Sequence, residues 1–575
     1  MPSTGRVADC IVQQLAAESV GYVFGVGGAN IEDLFDAAHI CEGITAVLAK
    51  HEFSAGAMAD GYSRAGAGLG VVAATSGGAS LNLVPALAES LTSRVPVLAL
   101  VGQPPTAMDG RGSFQDTSGE NGSLDAERLF GTVSRFCARA RRPQDLAAML
   151  PEAIAAARAG GPAVLLLPKD VQQGSFDGAV DVPTAERRMS VVQPDLSAMA
   201  AAIKRGMLRG PVTIIVGEQV VRDDARRELE QLRRALGARI ATVPDAKDVV
   251  SEPDSDPAAV LGVTGVMGHP GVARAIAGSS TCLLVGTRLP ATASAGLGHL
   301  LGDVHTVSIG TALPYLPSTH FPSDDLRLGL DLLRREFLSD SLSAAEDSPA
   351  GPLERLAPPR FDGPGVRYRD AMAALDELLP DGTDIVADAG NTGAAAIHHL
   401  PARRGGRFVV ALGMGGMGYS FGAGLGVAFA RTARTRADSA TTRRRTVVIA
   451  GDGAFFMHGM ELHTALEYEL PLTAVLFNNN AHAMCVTREQ LFYGDCYSYN
   501  RFRPSRLGSG LAAMFPGLPC ADVDSLDGLA PAMQSALAAG GPSVVSIECS
   551  PDEIPPFLPF MAGDRPEVLS SRTIG

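Results

Sequence analysis

Residues 447–485, VVIAGDGAFFMHGMELHTALEYELPLTAVLFNNNAHAMC, constrain what this chain can fold into more than any other stretch. VVIA is a short apolar run with the pattern of a buried strand. Gly451-Asp452-Gly453 breaks it. Phe456, Met460, Leu462, Ala465 and Leu466 then recur at roughly helical spacing as far as Pro471. A second apolar strand, 472–477, ends in Asn478-Asn479-Asn480. The expectation is strand, glycine turn, helix, strand, with polar groups at the carboxyl ends of both strands, the edge where open parallel sheets bind ligands. Asp452 offers a carboxylate and Asn479 an amide oxygen, both suited to Mg²⁺, which commonly bridges protein oxygens to phosphates. Gly451 and Gly453 let the backbone come close, and a helix starting at Ala454 presents free N–H groups to an anion. The constellation fits a diphosphate. The plain alternative is a βαβ unit with a tight turn and a solvated Asn cluster.

GDG followed by a double Asn, with Asp452 and Asn479 27 positions apart, resembles the cofactor motif of thiamine diphosphate enzymes. The resemblance implies a metal site made by Asp452, Asn479 and the main-chain carbonyl of Ala481, with Gly451, Asp452, Gly453, Ala454 and Asn479 around the diphosphate.

At 575 residues the chain exceeds one core, so two to four domains are expected. A net charge of -14 argues against nucleic-acid binding as the main task. No apolar run reaches transmembrane length, and MPSTGRVADC lacks a signal-peptide pattern, so a cytoplasmic protein is expected. The eight cysteines are scattered without CxxC and read as reduced thiols. His458 and His463 lack the HExxH zinc spacing.

Residues 1–175 alternate helical stretches with strands at 22–24, 44–48, 71–74, 97–101 and 163–167, the pattern of a parallel α/β sheet. Gly25-Val26-Gly27-Gly28 lacks the spacing of a dinucleotide fingerprint. Lys50-His51-Glu52-Phe53, continuing SAGAMADGYSRA, resembles the "HE…A…MADGYAR" stretch of thiamine diphosphate enzymes, whose Glu hydrogen-bonds the aminopyrimidine ring. That chemistry needs a carboxylate shielded from water that can share a proton and so help remove the weakly acidic thiazolium C2 proton. Glu52 is the candidate; a helix-start carboxylate at the surface is the alternative. Gly112-Ser113-Phe114-Gln115-Asp116 resembles the "FQE" element of acetohydroxyacid (acetolactate) synthases, whose Gln points into the active site. Leu167-Pro168-Lys169-Asp170-Val171-Gln172 resembles their "IPKDVQ" strand end.

Residues 173–194 read as a linker. Strands at 212–216, 240–243, 282–285 and 304–309 make a second α/β sheet within 190–345, and the resemblance implies a Rossmann-like central domain. The synthases bind FAD there. Here Gly286-Thr287-Arg288-Leu289-Pro290 keeps only a trace of the flavin-contacting loop, and Ile309-Gly310-Thr311 stands where a strand-end Asp is often found. FAD is left open against a purely structural spacer.

A proline-rich linker at 356–365 precedes the third domain, 360–575. Strand 385–387 ends at Asp388-Ala389-Gly390-Asn391-Thr392, and the resemblance places Gly390, Asn391 and Thr392 at the diphosphate; helix capping is the alternative. Gly413-Met414-Gly415-Gly416-Met417-Gly418 resembles the "GLGAMG" element, whose bulky apolar residue wedges the cofactor into its bent shape. Met417 aligns with the wedge and Gly415 with the glycine frame. MCVTREQLFYGDCYS, 484–498, resembles the synthases' "MVxQWQxLFYxxRYS" run, with Arg488 in place of their Trp. Arg488 suits a polar or anionic acceptor, or is a solvent-facing side chain. His482 suits proton transfer or a structural role. The tail from Ile554 resembles the synthases' lid-like C-terminal end.

The resemblance implies three doubly wound parallel-sheet α/β domains, pyrimidine-binding, Rossmann-like and diphosphate-binding. The implied activity is a thiamine diphosphate- and Mg²⁺-dependent carboligase, acetolactate synthase-like. It decarboxylates a 2-oxo acid, with pyruvate expected, and transfers the two-carbon unit to an acceptor carbonyl. Gln115 and Arg488 would place substrate carboxylates. A homodimer or homotetramer is implied, with active sites at the dimer interface. The alternatives are a thiamine diphosphate decarboxylase or C–C lyase that releases an aldehyde, and a catalytically silent regulatory homologue.

Overall fold

The computed structural model describes residues 5–176, 195–251, 256–338, 353–437 and 444–557. Three six-stranded sheets follow one another along the chain, each wholly parallel. The first orders its strands Thr45–Leu48, Tyr22–Val26, Gly70–Ala74, Val97–Gln103, Pro162–Pro168, Phe136–Arg139. The central sheet runs Val260–Val263, Arg239–Thr242, Val212–Val216, Thr281–Val285, His305–Gly310, Thr319–Pro322. The third runs Phe408–Val410, Asp384–Ala387, Thr446–Gly451, Leu472–Asn478, Ser543–Glu548, Cys520–Val523. No helix among the described residues is long and apolar enough to cross a membrane.

The inner strands are mostly apolar on both sides because both faces of each sheet are covered. Val72 and Ala74 enter one core while Val71 and Ala73 enter another; Val448 and Ala450 divide from Val447 and Ile449 in the same way. Val72, Ala74, Val448 and Ala450 belong to one core, so the first and third domains are fused through a shared interior. Two helices, Glu52–Tyr62 and Tyr419–Ala437, meet there backbone to backbone. A Cβ on Gly61 would lie 2.2 Å from the Ala423 carbonyl oxygen, and one on Gly426 would lie 2.0 Å from that of Met58. Only glycine permits this approach.

Arg407 joins all three domains. Its guanidinium donates to the Arg64 carbonyl at 2.7 Å and to Glu218 at 2.9 Å, and it lies 2.6 Å from Asp248. All three carriers of charge are buried or nearly so, so the cluster is strong only while complete.

The structure alters several expectations. The helix after the GDG turn begins at Asp452, two residues early, and runs only to His458 before a tighter turn, Gly459–Glu461, and a second helix, Leu462–Glu467. Asp452 Oδ1 accepts from the Gly453 N–H, which lets the carboxylate itself begin the helix. Phe456 and Met460 are therefore not core residues; they stand 53% and 40% exposed. Six strands of these sheets escape the sequence reading, Phe136–Arg139, Val260–Val263, Thr319–Pro322, Phe408–Val410, Cys520–Val523 and Ser543–Glu548, as does the short antiparallel pair Gly5–Arg6 and Ser175–Phe176. Most of the first linker (177–194) and the tail beyond 557 lie outside the described residues.

Candidate active site

Strand register builds the first half of the site. Gly451 pairs with Phe477 across neighbouring parallel strands, so the residues that follow each strand emerge side by side. The Ala481 N–H lies 3.2 Å from Asp452 Oδ2 and 2.9 Å from Asn479 Oδ1, so these two oxygens converge on one point. The Asn479 amide is fixed by donation to the Tyr368 hydroxyl at 2.8 Å. Asp452 is buried. Burial pushes its carboxyl up to about 7, against the backbone N–H groups of Gly453, Asn480 and Ala481. No Lys or Arg among the described residues pairs with it. Two convergent oxygens with no cation of the chain's own suit a small hard metal ion. Among the described residues no group of three His, Cys, Asp or Glu could hold a metal; this site mixes one carboxylate with amide oxygen instead.

The neighbouring strand Asp384–Ala387 supplies the second part. The helix that follows, Gly390–His399, begins with Gly390 at φ +84° and open space where its Cβ would stand. Asn391 is buried, yet neither its amide nitrogen nor its amide oxygen has a partner. Buried amides are almost always bonded, so an orphan at a helix start marks a ligand position. The Thr392 hydroxyl faces Gly451, 3.5 Å from where a Cβ would be. Asn391, Thr392, Gly451 and Asp452 thus border one space.

Asp388 holds the glycine loop over it. Its carboxylate accepts from Gly418 N–H at 3.0 Å and Ser420 N–H at 2.9 Å, closing 413–418 onto the strand end. Gly415 (φ +65°) has nothing within 4 Å of a built Cβ. A Cβ on Gly453 would lie 2.6 Å from His482 Nδ1 and 3.2 Å from Met417 Cε, so Met417 and His482 overhang the GDG turn together. His482 Nδ1 is buried and unpartnered, and its ring meets Phe502 edge-on at 4.8 Å. Ala454 is buried in the first turn of the helix. Arg488 lies on the helix Ala483–Phe492, exposed, with no ion pair or side-chain hydrogen bond among the described residues.

Glu52 and Gln115 form a separate cluster on the first domain. Glu52 opens its helix, is 9% exposed, and accepts from Asn82 Nδ2 at 2.9 Å. Gln115 has φ +62°, and its amide oxygen accepts from Ser76 Oγ at 3.2 Å. Among the described residues no hydrogen bond or ion pair joins this cluster to Asp452, Asn391 or Met417. The two regions touch through Phe53, whose ring lies 3.3 Å from a Cβ built on Gly416 and 4.5 Å from the His458 ring. His458 and His463 do not meet: one is bonded to Ser54, the other lies by Glu467. Tyr368 and Asn82 escape the sequence reading; Asp388 and Ser76 stand at strand ends a residue or two before glycine, a local signal that gives them no role by itself.

Residues 5–122 match the thiamine pyrophosphate enzyme N-terminal TPP binding domain, 198–307 its central domain and 388–547 its C-terminal TPP binding domain. A probable acetolactate synthase large subunit of Methanocaldococcus jannaschii is 26% identical, over 96% of this chain and 93% of that one. The acetolactate synthase isozyme 2 large subunit of Escherichia coli is also 26% identical, over 96% and 97%. The crystal structure of a putative thiamin diphosphate-dependent enzyme from Mycobacterium smegmatis superposes with a TM-score of 0.79 at 21% identity, over 95% of this chain and all of that one.

Proposed function

This chain belongs to the thiamine pyrophosphate enzymes, and from that premise we propose that it is a Mg²⁺-dependent carboligase that joins the two-carbon unit of pyruvate to an acceptor carbonyl. The observation that carries the reading is that Asp452 Oδ2 and Asn479 Oδ1 lie close enough to share the Ala481 N–H, at the same sheet edge as the unpartnered Asn391 amide.

Asp452, Asn479 and the Ala481 carbonyl would hold Mg²⁺, and the Asn391 amide, the Thr392 hydroxyl and the N–H groups at Gly390, Gly453 and Ala454 would hold the diphosphate. Bound thiamine diphosphate supplies a thiazolium ring that serves as nucleophile and electron sink. Met417 shapes the cofactor through packing. Asn82 fixes one Glu52 oxygen and leaves the other to hold a proton against the aminopyrimidine ring. Gln115, Arg488 and His482 border the substrate side, with Arg488 suited to an acceptor carboxylate.

FAD enters no step. At the strand ends of the central sheet the Gln219 amide accepts from Thr311 N–H at 2.9 Å and donates to the Ser323 carbonyl at 3.0 Å, beside a cavity of about 370 Å³ that Gly286, Thr287 and Arg288 also line.

A second copy of the chain completes the site. Among the described residues the Glu52 cluster has no bond to the diphosphate cluster of its own chain, and apolar side chains flank both: Phe114 is 81% exposed beside Gln115, and Phe456 and Met457 about half exposed behind the GDG turn. Apolar surface of this kind marks an interface. Release of carbon dioxide from pyruvate, dependent on thiamine diphosphate and Mg²⁺, tests the reading; no release from any 2-oxo acid would overturn it in favour of a silent homologue.

A further inference from the structure

A cavity of about 550 Å³ opens at the seam of the central and third domains and shares no lining residue with the site above. One wall comes from the segment Pro244–Val250 and the strand Val260–Val263, the other from the end of helix Gly390–His399 and the loop after it. Its charge is one-sided. Lys247, Arg355 and Arg404 line it together with three histidines, and among the described residues no Asp or Glu does.

Much of that polarity is already engaged. The Lys247 ammonium donates to the carbonyls of Ala396, Ile397 and Leu400, the open end of helix Gly390–His399. His269 accepts from Val263 N–H and donates to the His398 carbonyl; His398 accepts from Leu356 N–H and donates to the Met267 carbonyl. Three groups remain. Arg355 and Arg404 are exposed, with no side-chain partner among the described residues. His399 is 6% exposed, and its Nδ1 is buried without a partner. Burial, then the neighbouring His398, Arg355 and Lys247, press its pKa down to about 3, so it stays a neutral ring with an N–H to give. Val250, Pro257, Leu353 and Ala402 make the remaining wall apolar.

We propose that this cavity binds a small organic monoanion, a carboxylate on a short aliphatic body. The carboxylate would sit on the Arg355 and Arg404 guanidiniums, whose planar donors match it. The His399 N–H offers a further donor, and the aliphatic body covers the apolar wall. Inorganic phosphate would satisfy the charges and leave that wall wet.

Calorimetric titration of the full chain, loaded with thiamine diphosphate and Mg²⁺, tests this with isovalerate, its uncharged analogue isovaleramide, and inorganic phosphate. Saturable isovalerate binding is expected with a dissociation constant on the order of millimolar, and binding at least about ten-fold weaker for the other two. The Arg355→Ala/Arg404→Ala double variant should lose isovalerate affinity by about ten-fold or more while its unfolding temperature and cofactor affinity stay unchanged, since both side chains are exposed. No saturation with isovalerate, equal binding of the amide or phosphate, or undiminished binding to the double variant would overturn the proposal. None of these outcomes depends on the reaction the enzyme performs.

Discussion

Asp452 and Asn479 share a single donor: the Ala481 N–H stands 3.2 Å from Asp452 Oδ2 and 2.9 Å from Asn479 Oδ1. One backbone group therefore aims a carboxylate and an amide oxygen, carried by different strand ends, at the same point. Asp452→Ala is expected to weaken thiamine diphosphate binding at least about 100-fold in the presence of Mg²⁺, because the metal is the bridge to the diphosphate. Calorimetry with and without Mg²⁺ checks this. Equal cofactor affinity in the variant would remove Asp452 from the metal site.

Glu52→Gln keeps the shape and the Asn82 contact but cannot carry the proton. Turnover should fall at least about 100-fold with cofactor affinity nearly unchanged. Near-normal turnover would sink the assignment.

The two-chain site makes an arithmetic prediction. Glu52→Gln and Asp452→Ala should each be nearly inactive alone. Mixed, dissociated and reassembled, they should recover about a quarter of native activity, since half the dimers are mixed and each mixed dimer holds one intact site. Sites built within one chain would show no recovery.

Acid should weaken the central–third domain seam. The His269 and His398 rings stack at 4.4 Å, and each both accepts from and donates to backbone, so protonation of either breaks a buried bond. Burial first, aided by Lys247 and Arg355, presses them from 6.5 to about 3 and about 4. The unfolded chain then binds protons that the folded one refuses. Stability from these two rings is complete above about pH 6.5 and is lost as pH falls toward 3–4, on the order of a few kcal/mol in all. Urea midpoints at pH 7 and pH 5 measure the slope, and His398→Gln should flatten it.

Arg407→Met should destabilise the chain by about 3–5 kcal/mol, because Glu218 and Asp248 are left buried with less countercharge. A change under about 1 kcal/mol in urea unfolding would show that the three-domain junction does not depend on this side chain.

The sequence showed the inner strands and the ligand-bearing ends because both are local. Val212–Val216 and Leu472–Asn478 are apolar runs with polar or glycine stops. Five of the six unassigned strands of the large sheets lie at sheet edges, where they are short, and one of these, Phe136–Arg139, is mostly half-buried, which blurs the apolar signal; the sixth, Ser543–Glu548, is an inner strand whose apolar run is broken by Ser546. The partners of the site residues were hidden for another reason. Tyr368 reaches Asn479 from 111 positions away, and Asn82 reaches Glu52 across 30. No periodicity carries such a pairing. The glycines of the GDG turn place the helix start at Ala454 by pattern alone, whereas the helix begins at Asp452, whose Oδ1 accepts from the Gly453 N–H.

The most direct test of the carboligase claim is the product formed from pyruvate, read by mass spectrometry, with thiamine diphosphate and Mg²⁺, first alone and then with aldehyde and keto-acid acceptors. The expected result is carbon dioxide with a coupled hydroxyketone product, acetolactate if a second pyruvate is the acceptor. Carbon dioxide with free acetaldehyde and no coupled product under any acceptor would contradict it and make the enzyme a decarboxylase.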